Sequence, residues 1–431
     1  MATSADRSDR VSVSFVCRGH PNIAATHGKT LELTRDAEIS RRATCVLGVA
    51  GDHDDRSLLA LRGLVEVVLE CDGERDEFTA TISPFFVGAD SLVFRRGDGL
   101  RADTFAFDAT KTAATVDRRL VSRLGSPEAR LTVTIRAVAS EPTPGALFVV
   151  ALPIGNDADI GTRARKVLEN VDLVLAEDTR KLRALARRIG IDPARATSYH
   201  DHNEAQRVDG IIERLRSGAR IALVSDAGTP LCSDPGYVVV SRAVEAGIAV
   251  SPVPGPSAVL AVLAASGLPV DRFVFGGFLP RRSSARQQAV RELTALDCAV
   301  VCYESASRLA ETMADVAAVR ADWRVCIGRE VTKIFEEFRS GSAQDLAAEL
   351  ANEQPRGECT IVIAPPAGTR GEADADAPAT THDVDALLKS LLDQGVPAST
   401  VAQALKAMPG VGRNQAYERV LALGRGSAKR T

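Results

Sequence analysis

Residues 11–17 (VSVSFVC) alternate apolar and polar side chains, the period of a strand with one buried face. Segments 30–34, 44–49, 64–71, 77–82, 92–95 and 130–138 have similar strand character. No long helical period separates most of them, so residues 1–140 predict a mainly β domain with one or two helices. After residue 145 the pattern changes. Short continuous apolar runs at 146–151, 173–176, 221–224 and 249–253 predict buried strands, each stopped by glycine, proline or a carboxylate. Helices are expected from 159 or 162 through 171, and over 181–189, 237–246 and 258–266, the last with Ser257 as N-cap. This strand–helix rhythm predicts a parallel α/β lobe over 146–254.

A second α/β lobe is expected over 255–366. Its predicted strands are 273–278, 297–303, 324–329, 335–340 and 358–364, and its helices 286–296, 307–319 and 342–352. The short connections predict a mixed sheet. The acidic, Pro- and Gly-bearing stretch 367–381 reads as a linker, as does 140–145. Three short amphipathic helices, 382–392, 397–408 and 413–423, predict a small helical extension over 382–425 that is suited to a nucleic-acid contact or to a plain spacer.

Composition narrows the class. A chain of 431 residues holds two or three domains, and a net charge of −3 excludes a uniformly basic nucleic-acid binder. Eight cysteines without CxxC or zinc-ligand spacing point to reduced thiols and a cytoplasmic location. No run approaches a membrane span and the first residues lack a signal core, so a soluble protein with no membrane partner is expected. Near the start, Cys17, Arg18, His20, His27 and Lys29 allow a metal or phosphate site. Turn residues that satisfy backbone groups are the commoner use, and no metal is expected.

The chemistry concentrates in two loops that leave strand ends, Val224–Gly236 (VSDAGTPLCSDPG) and Val253–Ala258 (VPGPSA). Glycine and proline there allow close backbone approach to a ligand, with carboxylates and hydroxyls between them. Two such exits at the carboxyl edge of one sheet are where α/β proteins bind small molecules. No GxGxxG follows the first strand of the lobe, and ALPIGN does not fit a P-loop.

Eight motifs occur in order: ALPIGN (151–156), AEDTR (176–180), HDHNE (200–204), SDAGTPLCSDPG (225–236), VPGPSA (253–258), GFLP (277–280), YESASRL (303–309) and REVTKIFEE (329–337). Together they resemble the ribosomal RNA small subunit methyltransferase I family within the tetrapyrrole-methylase superfamily. The run RGHPNIAATHGKTLELT resembles a small uncharacterised domain family best known from archaea, which supplies no activity.

The first resemblance implies S-adenosylmethionine (SAM) in the cleft between the lobes, a homodimer, and 2′-O-methylation of a cytidine ribose in the 16S rRNA of the 30S subunit. It implies SAM contacts from Pro153, Ile154 and Gly155, from Asp226, Ala227, Gly228, Thr229 and Pro230, and from Pro254, Gly255 and Pro256. A ribose hydroxyl needs a base within hydrogen-bond reach. Candidates are Glu177, Asp178, His200, Asp201, His202, Glu330 and Lys333. Arg180, Arg308 and Arg329 suit phosphates, as do the basic clusters around Arg187 and around Arg281, Arg282, Arg286 and Arg291. Ordinary inter-lobe ion pairs are the competing use of Glu177, Arg180, Arg329 and Glu330. Rival functions are a tetrapyrrole-type small-molecule methylase, a diphthine-synthase-like methylase, and a non-catalytic SAM-binding regulator of the ribosome.

Overall fold

The computed structural model describes residues 11–97, 104–138, 143–296, 298–366 and, in the tail, 388, 392, 396–406 and 420. Residues 1–365 form one compact unit and 366–431 a second.

The first sheet of the larger unit contains β1 (Ser12–Arg18), β2 (Thr30–Thr34), β3 (Val46–Gly48), β4 (Leu64–Cys71), β5 (Glu74–Ile82), β6 (Ser91–Arg95), β7 (Ala106–Phe107) and β8 (Arg130–Ala137). Their order is β1-β8-β4-β5-β7-β6-β2-β3. The alternation that predicts β1 is kept, with Val13, Phe15 and Cys17 turned into the core. Two short helices, Asp55–Leu58 and Arg118–Arg123, accompany the strands. The turn histidines serve the backbone. His20 Nδ1 accepts the Asn22 N–H at 3.0 Å, and His27 Nδ1 accepts that of Thr30 at 3.1 Å. Among the described residues no cluster of His, Cys, Asp and Glu could hold a metal.

The second sheet contains β9 (Ala146–Val150), β10 (Leu173–Ala176), β11 (Ala196–Ser198), β12 (Arg220–Val224) and β13 (Ala249–Val253). All its pairings are parallel, in the order β11-β10-β12-β9-β13. Every residue of β10 and β12 is buried, as in a sheet covered on both faces. The helix expected over 181–189 begins earlier, at Thr179, because Asp178 caps it by accepting the Arg180 N–H at 2.8 Å. β11 and the helix Glu204–Arg216 were not legible in the pattern. The strand is only three residues long, and Gly210 interrupts the helix with a poor helix former.

The third sheet is mixed, as expected. β14 (Phe273–Phe278) pairs parallel with β15 (Ala299–Ser305), while β18 (Glu358–Ala364), β16 (Arg324–Arg329) and β17 (Glu337–Ser342) add antiparallel partners. β17 starts two residues later than its pattern suggests. The preceding segment is a tight turn with Glu330 and Thr332 in the left-handed region, at φ of 49° and 67°.

The β domain packs against the amino ends of the second sheet. Arg220, the first residue of β12, is 0% exposed and donates to the carbonyls of Leu59 (3.2 Å), Ser83 (3.4 Å) and Pro84 (3.3 Å). Arg62 pairs with Asp172 at 3.1 Å, just before β10. Asn170 donates to the Val87 carbonyl at 3.0 Å, and Phe85 meets Phe148 edge to face.

In the smaller unit, Ala398–Lys406 is helical, within the segment expected to be so. Leu388, Val401, Leu405 and Val420 share a small apolar cluster. Residues 140–142 of the first expected linker lie outside the described residues, as do the linker 367–381 and, apart from Leu388, Leu392 and Val420, the helices expected at 382–392 and 413–423.

Candidate functional site

At the opposite, carboxyl edge of the second sheet, four loops converge. Those after β9 and β12 are tied by reciprocal backbone bonds, Leu152 N–H to the Gly228 carbonyl at 2.8 Å and Gly228 N–H to that of Leu152 at 3.0 Å. Gly228 has φ of 72°, and an added Cβ would stand 3.4 Å from the Ile154 side chain. The Thr229 hydroxyl donates to the Pro256 carbonyl at 3.3 Å, joining the loop after β12 to that after β13. Asp226 Oδ1 accepts the Asp178 N–H at 3.2 Å, while the Asp226 N–H donates to Glu177 at 3.3 Å, which brings in the loop after β10. Further along the β12 loop, Leu231 and Ser233 adopt φ of 73° and 72°, which non-glycine residues hold only when their surroundings impose it.

These loops face the second lobe across a cavity of about 430 Å³, within the range of small-molecule sites. The first lobe contributes Ile154, Glu177, Lys181, Asp226 to Thr229 and Cys232 to Asp234, and Ser257 and Ala258 stand at the junction with the second. The second contributes Phe278, Tyr303 to Ser305, Gly328, Glu330, Val331, Lys333 and Glu358 to Thr360. The lobes touch where Gly155 meets the 330–333 turn. A Cβ on Gly155 would stand 2.4 Å from Lys333 Cγ, and the Asn156 N–H donates to Thr332 Oγ1 at 3.1 Å.

Charge is distributed unevenly around the cavity. Asp226 pairs with Lys181 at 2.6 Å, and Lys333 sits 2.9 Å from both Glu330 and Glu358. Glu304, almost fully buried, accepts from Arg308 at 2.9 Å and from Thr312 at 2.8 Å. Burial, and then the charge of Asp226, raises the Glu177 pKa. Burial, and then Glu177, pushes Asp234 up to about 6 against a hydrogen bond from Ser225. Burial pushes the Tyr303 phenol up to about 12. The result is a half-apolar pocket with an anionic wall, which suits a small molecule carrying a positive centre.

The sequence candidates divide accordingly. Ile154, Glu177, Asp226, Ala227, Gly228, Thr229, Glu330 and Lys333 line the cavity. Pro153, Gly155, Pro230, Pro254, Gly255 and Pro256 are not among its lining residues; Gly155 packs against the 330–333 turn and Gly255 against Ala151. Asp178 is committed to its helix cap and to Arg180, whose bonds hold its carboxyl well below the usual range. His200 is bonded to Asn203 at the start of the helix Glu204–Arg216, with His202 beside it, and neither lines the cavity.

Arg180, Arg187, Arg281 and Arg282 are exposed. Arg308 is turned inward instead, onto Glu304 and the carbonyls of Leu279 and Pro280, and Arg329 is paired with Glu337 at 2.9 Å. Arg286, grouped in sequence with a basic cluster, is 2% exposed and paired with Asp315 at 2.7 Å. Asp234, Phe278, Tyr303 and Glu358 line the cavity without having been singled out. Three of them lie inside the quoted motifs, the one signal that could have found them.

Comparison with known proteins agrees with this architecture. The family described as tetrapyrrole (corrin/porphyrin) methylases matches residues 146–347, and a domain of unknown function (DUF371) matches 15–138. A protein of Mesorhizobium japonicum named ribosomal RNA small subunit methyltransferase I is 44% identical over 288 residues, 66% of this chain and 95% of that protein. Its namesake from Escherichia coli O157:H7 is 38% identical over 286 residues, 66% of this chain and 97% of that one. The Micromonospora olivasterospora protein of the same name is 40% identical over 283 residues, 65% of this chain and 88% of its own length.

Proposed function

The chain belongs to the ribosomal RNA small subunit methyltransferase I family, and on that premise we propose that its cleft transfers a methyl group from SAM to ribosomal RNA. The acceptor we propose is the 2′-hydroxyl of a cytidine ribose in the 16S rRNA of the 30S subunit. The observation that carries the reading is the inter-lobe cavity, with Asp226 to Thr229 on one wall and Phe278 and Tyr303 on the other.

SAM fits that donor set. Its sulfonium charge would be matched by Glu177 and Asp226, its ribose by carboxylate and hydroxyl groups, and its adenine edge by the backbone of the Asp226–Thr229 loop. When bound, SAM supplies an electrophilic methyl group. The chain holds the acceptor in line, excludes water between the lobes, and takes up a proton. Arg180, Arg187, Arg281 and Arg282 would carry phosphate contacts, while Arg308 and Arg329 would shape the second lobe behind them. Residues 1–140 then form an accessory domain, 146–254 and 255–366 the catalytic lobes, and 382–425 an extension joined by 367–381. We further propose a cytoplasmic homodimer. The exposed Ile334 and Phe335 beside the cleft are apolar surface that a second copy would cover.

Labelled SAM offered with 30S subunits, naked 16S rRNA and a tetrapyrrole precursor tests this reading. It predicts label on one cytidine ribose of 30S rRNA. Label only on the tetrapyrrole would replace it with the small-molecule reading. SAM binding with no transfer would favour the regulatory one.

A further inference from the structure

The candidates read from sequence leave the proton acceptor open, and the geometry narrows the choice. Among the described carboxylates lining the cavity, Asp226 is spent on Lys181, Glu304 on Arg308 and Thr312, and Glu330 and Glu358 on Lys333. Glu177 and Asp234 form no ion pair with any described residue. Glu177, however, accepts the Asp226 N–H and feels the opposing charge of Lys181, whereas Asp234 accepts from Ser225 and the charges acting on it most strongly are anionic. Asp234 stands on the strained stretch of the β12 loop, across from the second lobe, near enough to Tyr303 for its charge to help raise the phenol.

Resting on the reading above, we propose that Asp234 is the catalytic residue that accepts the proton of the acceptor hydroxyl. As the hydroxyl oxygen bonds the methyl carbon, its proton passes to the Asp234 carboxylate, and the pair of the broken carbon–sulfur bond stays on sulfur as a neutral thioether. Asp234 is suited to this because it forms no ion pair with any described residue, and the charges acting on it most strongly are anionic. Glu177, Asp226 and Asp201 face it from the first lobe, Tyr303 from the second, and Cys232 lies on its own loop. Lys181 is held away on Asp226. A carboxylate whose pKa is lifted toward neutrality is a better acceptor than an ordinary aspartate and is still ionised at pH 7.5.

The test compares wild-type chain, Asp234→Asn and Asp234→Glu, with 30S subunits and labelled SAM. Three quantities are read: turnover against pH, SAM affinity by calorimetry, and carboxyl titration by NMR on aspartate-labelled protein without substrate. Asp234→Asn is expected to lower kcat by roughly 10² or more with SAM affinity within about threefold. It should also abolish both the acid limb of the pH profile near pH 6 and the matching carboxyl titration. Asp234→Glu should keep an acid limb and part of the turnover.

Asp234→Asn with more than a tenth of wild-type turnover, or with an unchanged acid limb, would overturn the assignment. So would the absence of an aspartate that titrates near pH 6 in the wild-type chain. Failure of the functional reading looks different, because the wild-type chain itself would then leave no label on RNA.

Discussion

The two ends of the central parallel sheet handle polar groups in opposite ways. At the amino end, Arg220 is buried and its guanidinium donates to three carbonyls of the β domain. Burial pulls its pKa down to about 9, with Arg62 adding to the shift and Asp172 opposing it, so it stays charged at neutral pH. At the carboxyl end, Glu177 and Asp234 are also partly withdrawn from water, yet they face an open cavity with no ion-pair partner among the described residues. A buried polar group with its partners in place holds structure, whereas one left short of partners beside a cavity is available for chemistry. This division separates an end that carries stability from an end that carries function.

The largest expected effect is on the stabilising end. Arg220→Ala strands the carbonyls of Leu59, Ser83 and Pro84 and opens a cavity, which should cost about 3 kcal/mol in a denaturant titration. At the other end, Gly155→Ala drives a methyl into Lys333 and Thr332, where the nearest atoms would lie 2.4 and 2.8 Å away. Separation of the lobes should weaken SAM binding by about tenfold and cost about 1–3 kcal/mol of stability, read by calorimetry and denaturant titration.

Asp234 sharpens the comparison through pH. Its folded pKa, about 6, lies above the value of 3.8 for an ordinary aspartate, so between those values the native state binds more protons than the unfolded one. Its contribution to stability therefore falls as pH rises from 4 through 6. Asp234→Asn should raise the Tm relative to wild type at pH 7.5 and leave it unchanged at pH 4, the stability–function trade expected of a catalytic group. The smallest effect belongs to Ser257, which caps the helix Ala258–Ala265 by accepting the Leu260 N–H. Ser257→Ala should cost about 1 kcal/mol in thermal unfolding.

The sequence resolves these two ends unequally. β10 and residues 221–224 of β12 are legible almost to the residue because both runs are short, apolar and stopped by turn chemistry. The Asp226–Pro230 loop is legible through its turn chemistry, since its glycine and proline mark where the backbone must turn. Arg220 gives no such signal. Its partners are backbone carbonyls of residues 59, 83 and 84, set in place only by packing of the β domain.

Asp234 and Tyr303 lie within separate motifs, and their proximity depends on two lobes closing on one another. Histidine looked like a base because its ordinary pKa lies near neutrality, yet His200 is bonded to Asn203 at a helix start. Arg308 looked like a phosphate ligand, yet it is bonded to the turn at Leu279 and Pro280. Single residues reveal what chemistry they are able to do. Whether that capacity is already consumed by a neighbour is a property of the fold.

The most direct measurement is a crossed one, in which unfolding free energy and SAM affinity are both determined for Arg220→Ala and for Asp226→Asn. The account predicts that Arg220→Ala loses stability and keeps SAM affinity within about twofold at a temperature where it is folded. Asp226→Asn should lose about tenfold in SAM affinity, with its unfolding free energy changed by less than about 1 kcal/mol. Arg220→Ala weakening SAM binding as much as Asp226→Asn does, or Asp226→Asn leaving that affinity untouched, would contradict it.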